Sequence, residues 1–218
     1  KILNDSQLLA IYKEEKNELE IQSEKQSEEN NILYAEGNVQ VSYEGNIFTA
    51  DRIKYDKTNK KIIAQGNIAL FIGKQILKSE RFEYDFLEKK GYLTTVKGLI
   101  NTDNLINDLY TNFDSSDIKK VEILQKIKKE KVLNTPNEVK NWIFSTEKLE
   151  IDGDIWKTEK AVFTNDLLDM KQVNIIINSL QIRSEKEHLR FKSSVNYLVF
   201  DEKLSIPFWF GDRTLTKS

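Results

Sequence analysis

The chain has 218 residues, of which 33 are basic and 35 acidic, for a formal net charge of -2, and it contains no cysteine. A nucleic-acid-binding domain usually carries an excess of basic residues, so this balance argues against nucleic acid as a partner. The absence of cysteine excludes disulfides, thiolate metal ligands and cysteine nucleophiles. His188 is the single histidine. We therefore expect it to be an ordinary turn or surface residue, and we expect no metal site, no cofactor and no enzymatic activity.

The N-terminal region, residues 1–17, is predicted to be an extension that precedes the folded domain. The chain begins at Lys1 rather than at an initiator methionine, and we expect it to be a piece of a longer protein. No apolar run approaches the ~20 residues with which a helix spans a bilayer, so we expect no membrane-crossing helix.

An internal repeat dominates residues 18–102. The run AEGNV at 35–39 returns as AQGNI at 64–68, and ADRIKYD at 50–56 returns as SERFEYD at 79–85, both shifted by 29 residues. Two blocks that share one offset indicate stacked supersecondary units, which bury their apolar faces against each other.

Each repeat unit is predicted to be a pair of strands. In the first unit, apolar and polar residues alternate from Ala35 to Tyr43, a turn follows at residues 44–46, and the return strand places Ile47, Asp51, Ile53 and Tyr55 on one face. The second unit repeats this pattern on both sides of a turn at residues 73–74. The sequence therefore predicts a meander of antiparallel strands.

A shorter signature recurs: a small or hydroxyl residue, then an acid, then a base. Besides the two repeat copies, it occurs at residues 23–25, 146–148, 158–160 and 184–186. Three-residue matches are weak by themselves in a charged sequence, but most of these lie beside alternation typical of strands.

Residues 103–140 are predicted to be an insertion with one helix near 114–133. Capping side chains at 115–117 precede a stripe of Ile118, Val121, Leu124 and Ile127, and Pro136 ends the pattern. The Lys-rich stretch 119–131 can be a solvated helix face or a binding patch, and we favour the solvated face.

Strands resume over residues 141–204, and the last clean one spans residues 189–199. It is predicted to carry Leu189, Phe191, Val195, Tyr197 and Val199 on one face. We therefore expect an all-β fold with the single inserted helix.

The repeat resembles the lipopolysaccharide-transport β-jellyroll family, the OstA-like domains of the LptA, LptC and LptD type. The family pattern is an A-x-G-N-V strand, a turn, and then A-D-x-x-x-Y-D, and it covers roughly residues 20–100. The aromatic and proline-containing run at 206–213 looks like the passage from jellyroll to outer-membrane barrel in LptD-type proteins, so residues 205–218 are expected to be that junction. The absence of cysteine and the helix near 114–133 depart from the common pattern.

The resemblance implies an open antiparallel β-jellyroll on the periplasmic face of the outer membrane. It implies that the domain binds lipopolysaccharide in an apolar groove and guides the acyl chains towards its own outer-membrane barrel beyond Ser218. An LptA-like bridging protein is expected to dock at the N-terminal sheet edge, near residues 18–43. The residues expected to contact lipid share the apolar face of the predicted strands. They are Val39, Val41, Tyr43, Ile53, Tyr55, Ile68, Leu70, Ile72, Phe82, Tyr84, Phe191 and Tyr197.

Two other functions were weighed. A structural β-repeat scaffold or stalk with a solid core would have the same periodicity and no lipid ligand. A hydrolase with paired carboxylates is disfavoured, because Asp51 and Glu80 occupy equivalent repeat positions, whereas a catalytic pair needs two different environments.

Overall fold

The computed structural model of the chain describes residues 10–14, 19–43, 46–105, 108, 141–165, 173–185, 188–201, 203–209 and 212–216. These residues form an all-β fold, as expected from the alternation on both sides of the insertion. The predicted helix near 114–133 lies outside the described residues.

Fifteen strands make up the described structure, and several of the central ones are 10 to 13 residues long. In chain order they are β1 (Ala10–Glu14), β2 (Leu19–Ser23), β3 (Lys25–Glu29), β4 (Ile32–Tyr43), β5 (Asn46–Asp56), β6 (Lys61–Ile72), β7 (Gln75–Asp85), β8 (Lys90–Asn101), β9 (Asn141–Asp152), β10 (Ile155–Thr164), β11 (Val173–Glu185), β12 (His188–Lys192), β13 (Asn196–Phe200), β14 (Leu204–Phe208) and β15 (Arg213–Thr216).

The strands form one open antiparallel sheet in which neighbours in sequence pair in space. β8 pairs with β9 from Lys90 opposite Asp152 to Asn101 opposite Asn141, so the sheet is continuous across the insertion. β14 and β15, within the segment expected to be a junction, are strands of this same sheet. The antiparallel meander expected for the repeat therefore extends through the second half of the chain.

Each long strand bends once, and the bends divide the sheet into two half-sheets. The register shifts at the bend of β4, where Gly37 and Asn38 have positive φ of 80° and 43°, and again at the equivalent Gly66 and Asn67 of β6. Glycine and asparagine tolerate this left-handed conformation, so the GN pair of the repeat is a β-bulge.

Half-sheet A consists of β2, β13, β14 and the halves of the long strands that lie on their side of the bends. Half-sheet B consists of β3, β12, β15 and the halves of the long strands on the other side. The chain passes from A to B between β2 and β3, where two short strands pair with the two halves of β4. β12 and β13 pair with the two halves of β11 in the same way.

The acid-containing signature marks these bends. Ser23 is buried and its Oγ donates to the Lys25 carbonyl at 2.9 Å; Ser79 Oγ donates to the Arg81 carbonyl at 2.8 Å. The acids of the first three copies, Glu24, Asp51 and Glu80, are exposed, and each accepts a hydrogen bond from the next bend. Asp51 accepts from Asn67 at 2.9 Å. The signature therefore marks the bends at residues 23–25, 50–52, 79–81, 146–148 and 158–160. The copy that begins with Ser184 and Glu185 does not mark a bend, because these two residues lie near the end of β11.

The two half-sheets face each other across one hydrophobic core. Aromatic rings from opposite half-sheets meet there: Phe48 and Phe82 pack edge-to-face with centroids 5.2 Å apart, and Tyr43 and Phe86 do so at 4.5 Å. Both pairs belong to strands β4 to β7 or the turn after them. The repeat half of the interior is thus closed by direct contact between its walls.

Candidate functional site: an apolar interior that opens at the C-terminal strands

Ten of the twelve expected lipid-contact residues belong to the repeat half and are buried or packed against the core there. Val39, Val41 and Tyr55 are fully buried. The other buried ones are Ile53, Ile68, Leu70, Ile72 and Phe82, while Tyr43 and Tyr84 are partly buried and pack against them. Phe191 of β12 also packs against this core.

Tyr197 does not point into the common apolar interior that was expected for it. Its side chain is 37% exposed and Val195 is 49% exposed, whereas Leu189 is fully buried. The expected strand 189–199 is broken into β12 and β13 by residues 193–195, and the break shifts the alternation by one residue. Asn196, which sequence alternation placed outside, is buried, and its amide nitrogen donates to Ser193 Oγ at 2.9 Å.

A similar shift occurs in β5. The expected inward residues included Ile47 and Asp51, but Phe48 and Ala50 are buried instead, while Asp51 is exposed. The β-bulge between Thr49 and Arg52 changes which face each side chain occupies. Ile53 and Tyr55, beyond the bulge, are inward as expected.

The interior becomes progressively uncovered towards the C-terminal strands. Phe163 of β10 and Ile177 of β11 are partly buried against the core. The register places Ile175 opposite Leu198, and Leu198 opposite Ile206, on this same face. Ile206 is 46% exposed and Leu204 is 57% exposed. The apolar inner face thus extends from a closed core to an open mouth, which we define as Val173, Ile175, Leu198, Phe200, Leu204, Ile206 and Phe208.

The mouth residues were not among the expected lipid contacts. The run Ile175, Ile176 and Ile177 is apolar without alternation, so a period of two could not show which side chains point inward. The segment containing Ile206 was assigned to a junction because of its aromatic and proline content. The pairing of β13 with β14 supplies the missing information.

The outer face of half-sheet B is strongly charged, in contrast to the interior. A hydrogen bond from Tyr92 lowers the pKa of Glu83; burial opposes this, and the Arg81 guanidinium adds to the lowering. The Glu150 carboxylate, 2.7 Å from Lys148 Nζ, raises the pKa of that lysine. These exposed ion pairs contribute little stability individually. They make each strand amphipathic, which sets the inner face apart chemically.

A groove of about 1210 Å³ crosses the outside of strands β8 to β11 near their bends. Its walls carry both signs of charge, including Lys97, Glu147, Lys160 and Glu159, together with hydroxyl groups such as Thr95. Most of the residues that line the groove are polar or charged, which distinguishes it from the apolar interior.

Within the residues that the structure describes, no group of three His, Asp or Glu side chains is arranged to hold a metal ion. In the same described part of the chain, no helix has the length and apolar character needed to cross a membrane.

A family model described as "Protein of unknown function (DUF3769)" matches residues 136–218. The match includes β9 to β15 and therefore the whole mouth. A search of curated protein sequences finds no match to this chain.

Proposed function

We propose that this chain is the periplasmic lipid-carrying domain of an LptD-like outer-membrane translocon. In this proposal it binds lipopolysaccharide by its acyl chains and guides them along the apolar inner face of the sheet. The observation that carries the proposal is the mouth: a continuous apolar face, left partly exposed, at one end of an otherwise closed core.

Physical chemistry supports an alkyl ligand for the mouth. Exposed apolar surface that is continuous with a core is typical of a binding site rather than of ordinary surface. Each methylene that leaves water for such a surface contributes about 0.8 kcal/mol. Leu198, Ile206 and Phe208 offer only hydrocarbon to a ligand. The sequence resemblance to lipopolysaccharide-transport jellyrolls suggests which lipid it is.

The closed repeat half favours a second candidate, a structural β-repeat scaffold. Val39 and Val41 are fully buried, and the Tyr43 and Phe86 rings touch across the interior. Under the lipid proposal, acyl chains in the repeat half require these walls to separate. Under the scaffold alternative, they stay in contact and no lipid is bound anywhere.

A photo-crosslinking amino acid placed in β14 separates the two functions. Ile206 lies on the inner face of the mouth and the adjacent Ser205 on the outer face, so they form a matched pair on one strand. We expect crosslinking at Ile206 to capture lipopolysaccharide in cells and crosslinking at Ser205 to capture little.

Two further positions report how far the lipid extends. Val41 is fully buried in half-sheet A, and Gln40 beside it is not. Capture at Val41 but not at Gln40 would mean that the repeat half opens during transport. Equal capture at Ile206 and Ser205, together with no lipid in a mass spectrum of the extracted protein, would refute the lipid proposal and favour the scaffold.

We further propose that an LptA-like protein docks at the N-terminal sheet edge. β2 is paired on both sides, with β1 and with β4, so Gln22 lies inside the sheet. β3 pairs only with β4 in the described part of the chain. A partner strand can therefore extend half-sheet B at β3. A crosslinker at Ser27 of β3 should capture the partner and one at Gln22 should not; capture at neither would place docking on another edge.

A further inference from the structure

Three cationic side chains lie close together on the outer face of half-sheet B. Arg183 of β11 lies directly opposite Arg190 of β12, and Gln181 lies opposite Lys192 in the next row of the same two strands. Directly opposed residues on antiparallel strands have Cβ atoms only about 4.5–5.5 Å apart. Like charges in that position repel each other, so this arrangement is unfavourable unless an anion lies between them.

The charge of the cluster is only partly balanced. One carboxylate, that of Asp212, lies 3.3 Å from Arg190 and 3.6 Å from Lys192. Arg183 is exposed and has no ion-pair partner among the residues that the structure describes. The four charged side chains therefore carry a net charge of about +2, by the ordinary charge states of Arg, Lys and Asp at neutral pH.

A small cavity lies between these side chains. Its volume is about 50 Å³, and its lining consists of Gln181, Arg183, Arg190 and Lys192. One water molecule needs ~10–15 Å³ by the same measure, so the cavity can admit the oxygens of a small anion. Every lining side chain can donate hydrogen bonds, and the arginine forks match phosphate oxygens in bidentate geometry.

We propose that Arg183, Arg190 and Lys192 form a phosphate-binding site, with Gln181 as an additional donor and Asp212 as the internal anion that the phosphate competes with. The ligand is a phosphate group carried by a lipid headgroup or by a small soluble molecule. The site lies on the outside of the sheet, so it is separate from the apolar mouth on the inner face.

The test measures the thermal unfolding of the full chain at increasing concentrations of inorganic phosphate. Sodium chloride of equal ionic strength serves as the reference. Phosphate should raise the Tm of the wild-type chain. Arg183→Gln should weaken the apparent phosphate affinity about tenfold or more, because a charge-assisted bidentate contact is lost. Asp212→Asn should strengthen it, because the competing carboxylate is removed.

Arg81→Gln is the matched control. Arg81 lies on the outer face of the same half-sheet, but its guanidinium donates to Glu83, so its removal should leave the phosphate effect unchanged. Arg183→Gln has a second signature: in chloride alone it should raise the Tm, since it relieves like-charge repulsion. If Arg183 had a merely structural role, the same substitution would lower the Tm. Circular dichroism confirms that each variant keeps its strand content.

Sedimentation with lipid vesicles identifies the source of the phosphate. Binding of wild-type protein, but not of Arg183→Gln, to phosphatidylglycerol vesicles and not to phosphatidylcholine vesicles assigns the site to an anionic lipid headgroup. A phosphate-dependent Tm without vesicle binding assigns it to a soluble phosphate. If neither phosphate nor anionic vesicles distinguish wild type from Arg183→Gln, or if Arg81→Gln has the same effect as Arg183→Gln, the site does not exist.

Discussion

The contact between Phe48 and Phe82 tests whether the repeat half of the interior is closed in solution. The two residues belong to opposite half-sheets, are 6% and 7% exposed, and pack with ring planes at 79°. Replacing either by leucine removes ring atoms from a packed core, and we expect each single variant to lose about 1–3 kcal/mol of unfolding free energy. A domain with about 5–15 kcal/mol of stability should still fold.

The informative quantity is the coupling between the two substitutions. An aromatic pair in edge-to-face geometry contributes about 0.5–1.5 kcal/mol beyond its buried area. Each single variant already loses that contribution, so adding the two single losses counts it twice. The double variant loses it only once. The double variant should therefore lose about 0.5–1.5 kcal/mol less than the sum. Urea unfolding followed by circular dichroism measures all four free energies, provided that the m-value is unchanged.

A distant pair serves as the control. Leu189 of β12 is fully buried but lies seven strands from β5 in the sheet order, roughly 30 Å away at the usual strand spacing. Phe48→Leu and Leu189→Ala should be additive within about 0.3–0.5 kcal/mol. If Phe48 and Phe82 are equally additive, their rings do not meet and the walls are splayed. The repeat half of the interior would then not be closed in solution.

Two further predictions concern the bends and the turns. Gly66→Ala should lower the unfolding free energy by more than Gly153→Ala: both have positive φ, which costs about 1–2 kcal/mol for alanine, but a Cβ at Gly66 would also press on the Asp51 carboxylate, while one at Gly153 meets nothing within 4 Å. Equal losses in urea unfolding would remove the Asp51 contact from the explanation. The backbone N–H of Asn59 is the main cause that lowers the pKa of Asp56 below its ordinary value of 3.8. The resulting stability is present above that ordinary value and lost as the pH falls through the lower folded pKa. Asp56→Asn should therefore flatten the fall of Tm below about pH 4, and parallel Tm curves for the two proteins would contradict this.

The bends show why simple alternation predicted some residues correctly and not others. Within a straight segment the period of two is reliable, so Val39 and Val41, or Ile53 and Tyr55, are inward as expected. At the bend of β5 the parity changes, since Phe48 and Ala50 are buried before it and Ile53 and Tyr55 after it. In β4 the parity is kept, since Ala35 and Val39 are buried on either side of the GN pair. The sequence contained a signal for the bulge, since the GN pair and the acid-containing signature both recur at the bends. Only the pairing of the strands shows that these residues form bends.

The mouth illustrates a different limit. The sequence predicts an apolar interior as a whole but not whether its walls are in contact or apart. Closure depends on which rings meet across the two half-sheets, such as Tyr43 with Phe86, and these residues are distant in sequence. Exposure of Ile206 depends on its strand lying at the end of the sheet, where no further strand among the described residues covers it.

Local chemistry determined the fold class, the antiparallel order and the positions of the strands in the repeat. A two-residue side-chain period and turn-forming residues act over a few positions, so they can be read directly from the sequence. The tertiary structure alone decided which end of the core is open, that Tyr197 faces outward, and that Arg183 and Arg190 stand opposite each other. Each of these depends on the pairing of strands and on their bends, and in a strand such as β5 the bend reverses the face of every side chain that follows it.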